Sequence, residues 1–389
     1  MRGRSLRVVL EVNSVLTNRY SGFFTYGAGL LEGMAELTDR PELSFFCGSK
    51  AFAHKDWLVS SSNITSKENG YSRESQWNVC RLKPRHLGIW WRMLRFPSLQ
   101  YFTGPFDLYH CNHHLMPPTK DRPRLLTVHD LRRYRYPQFY PYSKKESFEN
   151  AVRQADHFIA ISQATKSDLR EFFNIDDKRI DVVYHGGPLA RYQQHITGLS
   201  DDRDSLLKQF NLRPGRFFTA MASYDKRKNL PNLIQAFFQA AKNLPDDYRL
   251  VIIGEPPRRE DVFSPDEKAD LVKKVIFTGP LDDFTALLTQ STALVYVSFY
   301  EGFGLPILEA MSAGTAVITS NCSSMPEVAG EAAILVDPNE TEDIAEAMKK
   351  VAVDVELRSR LVTAGRKRSR EFSWQRAAAE TVAVYKKLM

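Results

Sequence analysis

The stretch richest in chemistry is Tyr300-Glu-Gly-Phe-Gly-Leu-Pro-Ile-Leu-Glu-Ala-Met311. Gly302 and Gly304 let the backbone come close to a ligand. Pro306 suits the first turn of a helix, where unsatisfied N–H groups favour an anion. Glu301 and Glu309 flank that site. A phosphate would be repelled by them, so they are better read as acceptors for the neutral hydroxyls of a ribose or a sugar. Phosphate donors and hydroxyl acceptors in one segment are what a nucleotide sugar needs.

Four other groups of residues bear on this site. Lys226, Arg227 and Lys228 follow an apolar run and precede a helix that Asn229 could cap, an arrangement that suits a diphosphate. A solvated basic turn is the competing reading. Ser21-Gly22 opens the first helical pattern, and a glycine there lets N–H groups approach a phosphate, although one glycine in a turn is commonly only a turn. His129 ends a buried run beside Asp130, where it could hydrogen-bond a sugar and steady developing charge. His110, His113 and His114 also end a run, but no carboxylate or cysteine spacing completes a metal site with them. Two remaining segments are read as surface features. In the stretch 81–95, Trp90, Trp91, Met93 and Leu94 beside Arg85, Arg92 and Arg95 could form a basic amphipathic helix on a membrane or an ordinary packed helix. Asp202-Arg-Asp204 matches an acidic pair that can hold a metal, yet it falls in a linker-like stretch and implies no metal requirement.

The elements that position these residues follow from periodicity. Short apolar runs at 6–12, 43–47, 108–111, 125–129, 157–161 and 180–184 alternate with helical patterns, the first at 23–37. The alternation predicts parallel strands with crossover helices. His185-Gly-Gly-Pro188 and the polar stretch to about residue 215 read as a linker. The pattern restarts at 217–222, 250–253, 275–278, 293–299, 316–319 and 333–336, with a helix at 230–241 between. The chain has 389 residues, beyond the size at which one core usually stops growing. The expected fold class is therefore α/β, with two doubly wound Rossmann-like domains, residues 1–188 and 189–374. Such folds bind ligands at the carboxyl ends of their strands, so the two should face a common cleft.

Composition narrows the partners. Hydrophobic residues make up 43% and charged residues 25%, ordinary for a globular protein, and the net charge of +7 favours anions. The cations form no known nucleic-acid module, so no nucleic-acid partner is expected. Cys47, Cys80, Cys111 and Cys322 show no Cys-x-x-Cys pairing and suggest neither disulfides nor zinc. The sequons at Asn63 and Asn321 carry little weight without a secretion signal, and no run reaches the roughly 18 apolar residues of a membrane span. A cytoplasmic protein is expected.

Together these residues resemble glycosyltransferase family 4, retaining sugar transferases of GT-B fold. The resemblance is densest between 217 and 374. It rests on Arg227-Lys-Asn229, Phe277-Thr-Gly279, the Glu301 and Glu309 pair, Gly314-Thr-Ala-Val-Ile318, Pro326-Glu-Val328, Asp337-Pro338 and Phe372-Ser-Trp374. The first domain matches through Gly22, Tyr26, Asp107-Leu-Tyr-His110, His129-Asp-Leu131 and Phe158-Ile-Ala-Ile-Ser162. The resemblance implies that Arg227 and Lys228 hold the donor diphosphate, that Glu309 binds the ribose, and that Glu301 contacts the sugar. Phe303, Gly304 and Leu305 would offer backbone N–H groups, as would Gly302, while Gly22 lies near the phosphates and His129 beside the sugar. A terminal helix, 375–389, would return to the first domain. Two departures stand out. Related chains often carry Gly-x-Gly where this one has Gly22-Phe-Phe24, and many carry an Arg where Ser223 stands.

His129-Asp-Leu131 is also similar to bacterial mannosyltransferases of polysaccharide and O-antigen assembly. That implies GDP-mannose or a related GDP-hexose, with a UDP-sugar as the alternative. No cofactor is expected, and the nucleotide-sugar donor is a substrate rather than a resident group. The implied acceptor is a glycan or lipid-linked glycan, with peripheral contact to the inner face of an anionic membrane. A sugar-nucleotide epimerase or a silent nucleotide-binding module are the readings of other classes.

Overall fold

Val8, Val9 and Leu10 are consecutive and all buried, which only a strand covered on both faces permits. They belong to β1 (Arg7–Glu11), which pairs in parallel with β2 (Glu42–Gly48) on one side and β4 (Leu108–Cys111) on the other. With β3 (Trp77–Cys80), β5 (Arg124–Val128), β6 (His157–Ala160) and β7 (Ile180–Val182) they form a parallel sheet in the order β3-β2-β1-β4-β5-β6-β7. A second parallel sheet has the order β10-β9-β8-β11-β12-β13. Its strands are β8 (Phe217–Met221), β9 (Arg249–Ile253), β10 (Val275–Gly279), β11 (Ala293–Tyr296), β12 (Ala316–Ser320) and β13 (Ile334–Val336). The computed structural model describes residues 5–17, 19, 21–56, 58, 77–81, 90–91, 93–142, 145–189, 192, 203–221, 225–263 and 269–389. Outside them fall Ser223, Asn63, Arg85, Arg92 and Asp202, together with the side chain of Asp204.

The chain divides into two compact units. One comprises Met1–Leu189 with Ser373–Met389, and the other Ala190–Phe372. In each sheet the strand order reverses at one place, between β1 and β4 and between β8 and β11. Loops leaving the carboxyl ends of such neighbours diverge and open a crevice. The sequence motifs sit there: Gly22 after β1, His113 after β4, Arg227 and Lys228 after β8, and Glu301 after β11.

Three local features were not expected from the sequence pattern. The stretch read as a linker contains a helix, Arg203–Gln209, whose Leu207 packs with Leu212, Phe217 and Leu287. The edge strand β3 is also unanticipated, because four residues with mixed burial give no alternation to read. Phe372-Ser-Trp374 is a helix start. Ser373 caps the helix Trp374–Lys387 by accepting from the Arg376 N–H, and Trp374 is buried.

That last helix lies on the helix Gly22–Ala35 within the first unit. Gly29 and Gly33, four residues apart on one helical face, make the notch that receives Trp374. The Trp374 indole donates to the Gly187 carbonyl at 2.9 Å. Further along, the Tyr385 hydroxyl meets His110 Nδ1 at 2.7 Å, and His110 Nε2 meets the Thr127 hydroxyl at 2.6 Å. His110 is thus a buried structural link, not a cleft or metal residue. Trp91 is core, with its indole donating to the Pro97 carbonyl, whereas Trp90, Met93 and Leu94 are exposed. No helix among the described residues is long and apolar enough to cross a membrane.

Candidate active site

In the second unit, Arg227 and Lys228 lie in a single turn after β8, and Glu301 lies in the loop after β11. Because β8 and β11 are neighbours, the two loops meet. Arg227 is buried. Its Nη1 lies 2.5 Å from Glu301 Oε2 and donates to the Tyr300 carbonyl at 2.9 Å, while its Nε donates to Asp225 Oδ2 at 3.0 Å. Lys228 Nζ reaches the other Glu301 oxygen at 2.8 Å and the Tyr296 hydroxyl at 2.7 Å. Burial pushes the Glu301 pKa up, but Arg227 and Lys228 outweigh it and hold the carboxyl well below the usual range. Lys228 is lowered to about 8, by burial first, with Glu301 opposing.

The loop between Glu301 and the following helix is locked from below. Ser324 Oγ, fully buried, lies 2.9 Å from the Glu301 carbonyl and 2.8 Å from the Phe303 carbonyl, sharing one proton between them. Ser323 Oγ donates to the Glu301 carbonyl and accepts from its N–H. Gly304 has φ +109°, a conformation side chains resist, and it turns the chain into the helix Leu305–Ala313 with Pro306 in the first turn. The helix start is thereby fixed: Pro306 has no N–H to leave unpaired, and the Ile307 N–H donates to the Gly304 carbonyl at 3.0 Å. Replacing Ser324 by Ala should destabilise the fold by about 1–3 kcal/mol, the usual cost of an unmatched buried group. It should also raise the donor KM on the order of tenfold, the equivalent of about 1.4 kcal/mol of lost loop order. Urea unfolding and donor titration check both, and an unchanged KM would remove Ser324 from this role.

Glu309 faces differently from Glu301. It is half-buried, no other described side chain pairs with it, and burial raises its pKa to about 7. It is therefore an unclaimed acceptor near a helix start. Asn229 does not cap its helix. Its φ of 59° is left-handed, and its side-chain amide instead donates to the Val297 and Pro338 carbonyls. Lys226 is exposed, so Arg227 and Lys228 remain the two cations of the site.

In the first unit, His129 follows β5 and packs against the rings of Phe23 and Tyr26 at 4.5 and 4.7 Å. Its Nε2 is buried without a hydrogen-bond partner among the described residues. Burial lowers its pKa to about 4, against the opposing charge of Asp130, so a neutral imidazole is presented. Gly22 begins the helix Gly22–Ala35, and a Cβ built there would meet nothing within 4 Å. Space, not packing, adjoins Gly22. His113 lies against Phe23 and beside His114, and the described residues contain no cluster suited to a metal. Sequence reasoning missed Tyr296, Ser323, Ser324 and Tyr385. Only Ser324, three residues before Glu327 at a helix start, left any local signal.

Similarity to known proteins agrees with this geometry. The family described as Glycosyl transferases group 1 matches residues 202–368, and Glycosyltransferase Family 4 matches residues 48–191. O-antigen chain mannosyltransferase B of Escherichia coli is 27% identical over 288 residues, 72% of this chain and 74% of that protein. The MMP alpha-(1->4)-mannosyltransferase of Mycolicibacterium hassiacum is 30% identical, over 74% of this chain and 67% of its own. The serotype-specific mannosyltransferase WbdA of Escherichia coli is 30% identical over 61% of this chain, which spans only 29% of WbdA. Among solved structures, sucrose-phosphate synthase from Thermosynechococcus elongatus superposes with TM-score 0.70 at 18% identity, covering 99% of both chains. The fold is GT-B, two doubly wound Rossmann-like units in one chain. The chain belongs to the group 1, family 4 glycosyltransferases and is an enzyme of that class.

Proposed function

We propose that this enzyme moves mannose, or a related hexose, from a GDP-sugar to a hydroxyl of a glycan or lipid-linked glycan during polysaccharide assembly. The observation that carries the reading is the buried Arg227–Lys228–Glu301 cluster beside a helix start with the unclaimed Glu309. In this reading Arg227, Lys228 and the N–H groups of Gly302, Phe303, Gly304 and Leu305 neutralise the diphosphate. Glu309 accepts the ribose hydroxyls and Glu301 a sugar hydroxyl. Gly22 leaves room for the phosphates, and His129 hydrogen-bonds the sugar. The names of the relatives support mannose and O-antigen synthesis for the product.

The step proceeds with retention. The bond from the anomeric carbon to the diphosphate oxygen breaks and the electron pair leaves with the nucleoside diphosphate. The acceptor oxygen bonds the same face of that carbon, and its proton passes to a departing phosphate oxygen. Preorganised cations stabilise that leaving group, so the proposal needs no metal. Cytoplasmic residence with peripheral contact to an anionic membrane belongs to the same reading.

The test is donor turnover across GDP- and UDP-sugars, with and without glycan acceptors, followed over pH. GDP-mannose consumption with acceptor-dependent product is expected. UDP-sugar turnover would replace the donor, acceptor-free epimerisation would replace the reaction, and nucleotide binding with no turnover would leave a silent module. The kcat/KM for donor should rise as Glu309 ionises near pH 7, because only the carboxylate accepts from both ribose hydroxyls. It should fall above about pH 8 as Lys228 loses its proton. In Glu309→Gln the acid limb should vanish; if it persists unchanged, Glu309 is not the ribose ligand.

A further inference from the structure

A cavity of about 260 Å³ in the first unit is lined by His129 and by residues the donor reading leaves unused. Three cations border it: Arg132 and Arg133 from the turn after His129, and Lys145 before the helix Glu146–Gln154. Arg132 is matched by Asp130 at 3.5 Å. Arg133 and Lys145 have no carboxylate within ion-pair distance among the described residues. Lys145 Nζ rests 4.6 Å from the centre of the Tyr134 ring, and Glu149, the nearby acid, is turned toward the Tyr134 hydroxyl at 3.4 Å. Among the described residues, two charges at this cavity thus lack a carboxylate partner.

The cavity is also lined by His113 and His114, whose ring nitrogens approach at 3.3 Å. Burial first, then His114, His129 and the two arginines hold His113 at about 3, and burial with Arg133 keeps His114 below the ordinary histidine range. A neutral pair sharing one hydrogen bond keeps one N–H for a ligand. Phe23, edge-on to His113, closes the wall between this pair and His129.

We propose that this cavity holds the acceptor substrate by a phosphoryl group, so that the molecule glycosylated carries a phosphate ester near its accepting hydroxyl. The proposal rests on the transferase reading above and names the acceptor class it leaves open. Two separate cations with an N–H donor match a group of charge near −2 and three acceptor oxygens. A carboxylate, with one charge, would leave one cation uncompensated. The diphosphate of the donor is assigned to Arg227 and Lys228, so these cations are not needed for it. Contiguity with His129 puts the anion where an acceptor would lie.

The experiment measures binding of matched probes to the full chain saturated with GDP or UDP, whichever it binds. Methyl mannoside 6-phosphate should bind at least tenfold more tightly than methyl mannoside. The double variant Arg133→Gln, Lys145→Gln should lose at least tenfold for the phosphate probe only, with nucleotide affinity retained as evidence of folding. Equal binding of the two mannosides, equal binding of methyl glucuronoside, or an unaffected double variant would each overturn the proposal. A short polyprenyl-diphosphate mannose distinguishes the source. Tighter binding than the soluble phosphate assigns a lipid carrier, and equal or weaker binding assigns a sugar phosphate; both support the phosphoryl site. Failure of GDP and UDP alike to bind would overturn the donor reading instead, and that is read in a separate titration.

Discussion

Replacing Arg227 by alanine is expected to lower kcat on the order of 100- to 1,000-fold, the usual effect of removing one preorganised donor to developing charge. Its guanidinium bridges Asp225, Glu301 and the Tyr300 carbonyl, so its loss leaves Glu301 paired with Lys228 alone and takes an ion-pair partner from Asp225. Breaking a buried pair from one side costs about 3–5 kcal/mol, and the fold should weaken by that order. Lysine at 227 should rescue poorly, because one ammonium cannot reproduce the forked contact. Urea midpoints and single-turnover rates give the readout; turnover within threefold of the parent would sink the assignment of Arg227.

Gly33→Ala is expected to disrupt the first unit at its terminal helix. An added Cβ would come within 2.0 Å of the Trp374 carbonyl oxygen and 2.4 Å of its carbon. These are backbone atoms, so no rotamer change relieves the clash and the helix Trp374–Lys387 must shift bodily. Overpacking usually costs about 1–3 kcal/mol, and this case belongs at the upper end or above. The shift would also part Tyr385 from His110, which holds Thr127 under the Tyr26 hydroxyl and hence the ring beside His129. Early proteolysis within 373–389 and a lowered melting temperature are the expected signs. Gly22→Ala is the control, since its Cβ meets nothing: it should keep the stability while reducing turnover. Similar melting temperatures for Gly33→Ala and the parent would show that the helix is not seated as described.

Local chemistry was readable where sequence neighbours act together. The spacing of Gly302, Gly304, Pro306 and Glu309 follows from one strand-loop-helix, and Arg227 with Lys228 belongs to another. That these two loops meet depends on β8 lying next to β11, and strand order leaves no mark in either segment. The Ser324 lock was hidden for the same reason, because its spacing to Glu327 marks only a helix start and not the Glu301 and Phe303 carbonyls it binds. His110 misled because its partners, Thr127 and Tyr385, lie 17 and 275 residues away. The helix Arg203–Gln209 was masked by its polar setting, seven residues being too few for a clear period.

The first unit is made of two separated pieces of chain, whereas the second is continuous from Ala190 to Phe372. On a ribosome the second unit can therefore close while the first still waits. At about 5–20 residues per second, the wait for Trp374 after Leu189 is roughly ten to forty seconds. During that time the notch of Gly29 and Gly33 is open and His110 has no Tyr385. A nascent chain in this interval exposes an apolar groove that the finished protein covers with Trp374.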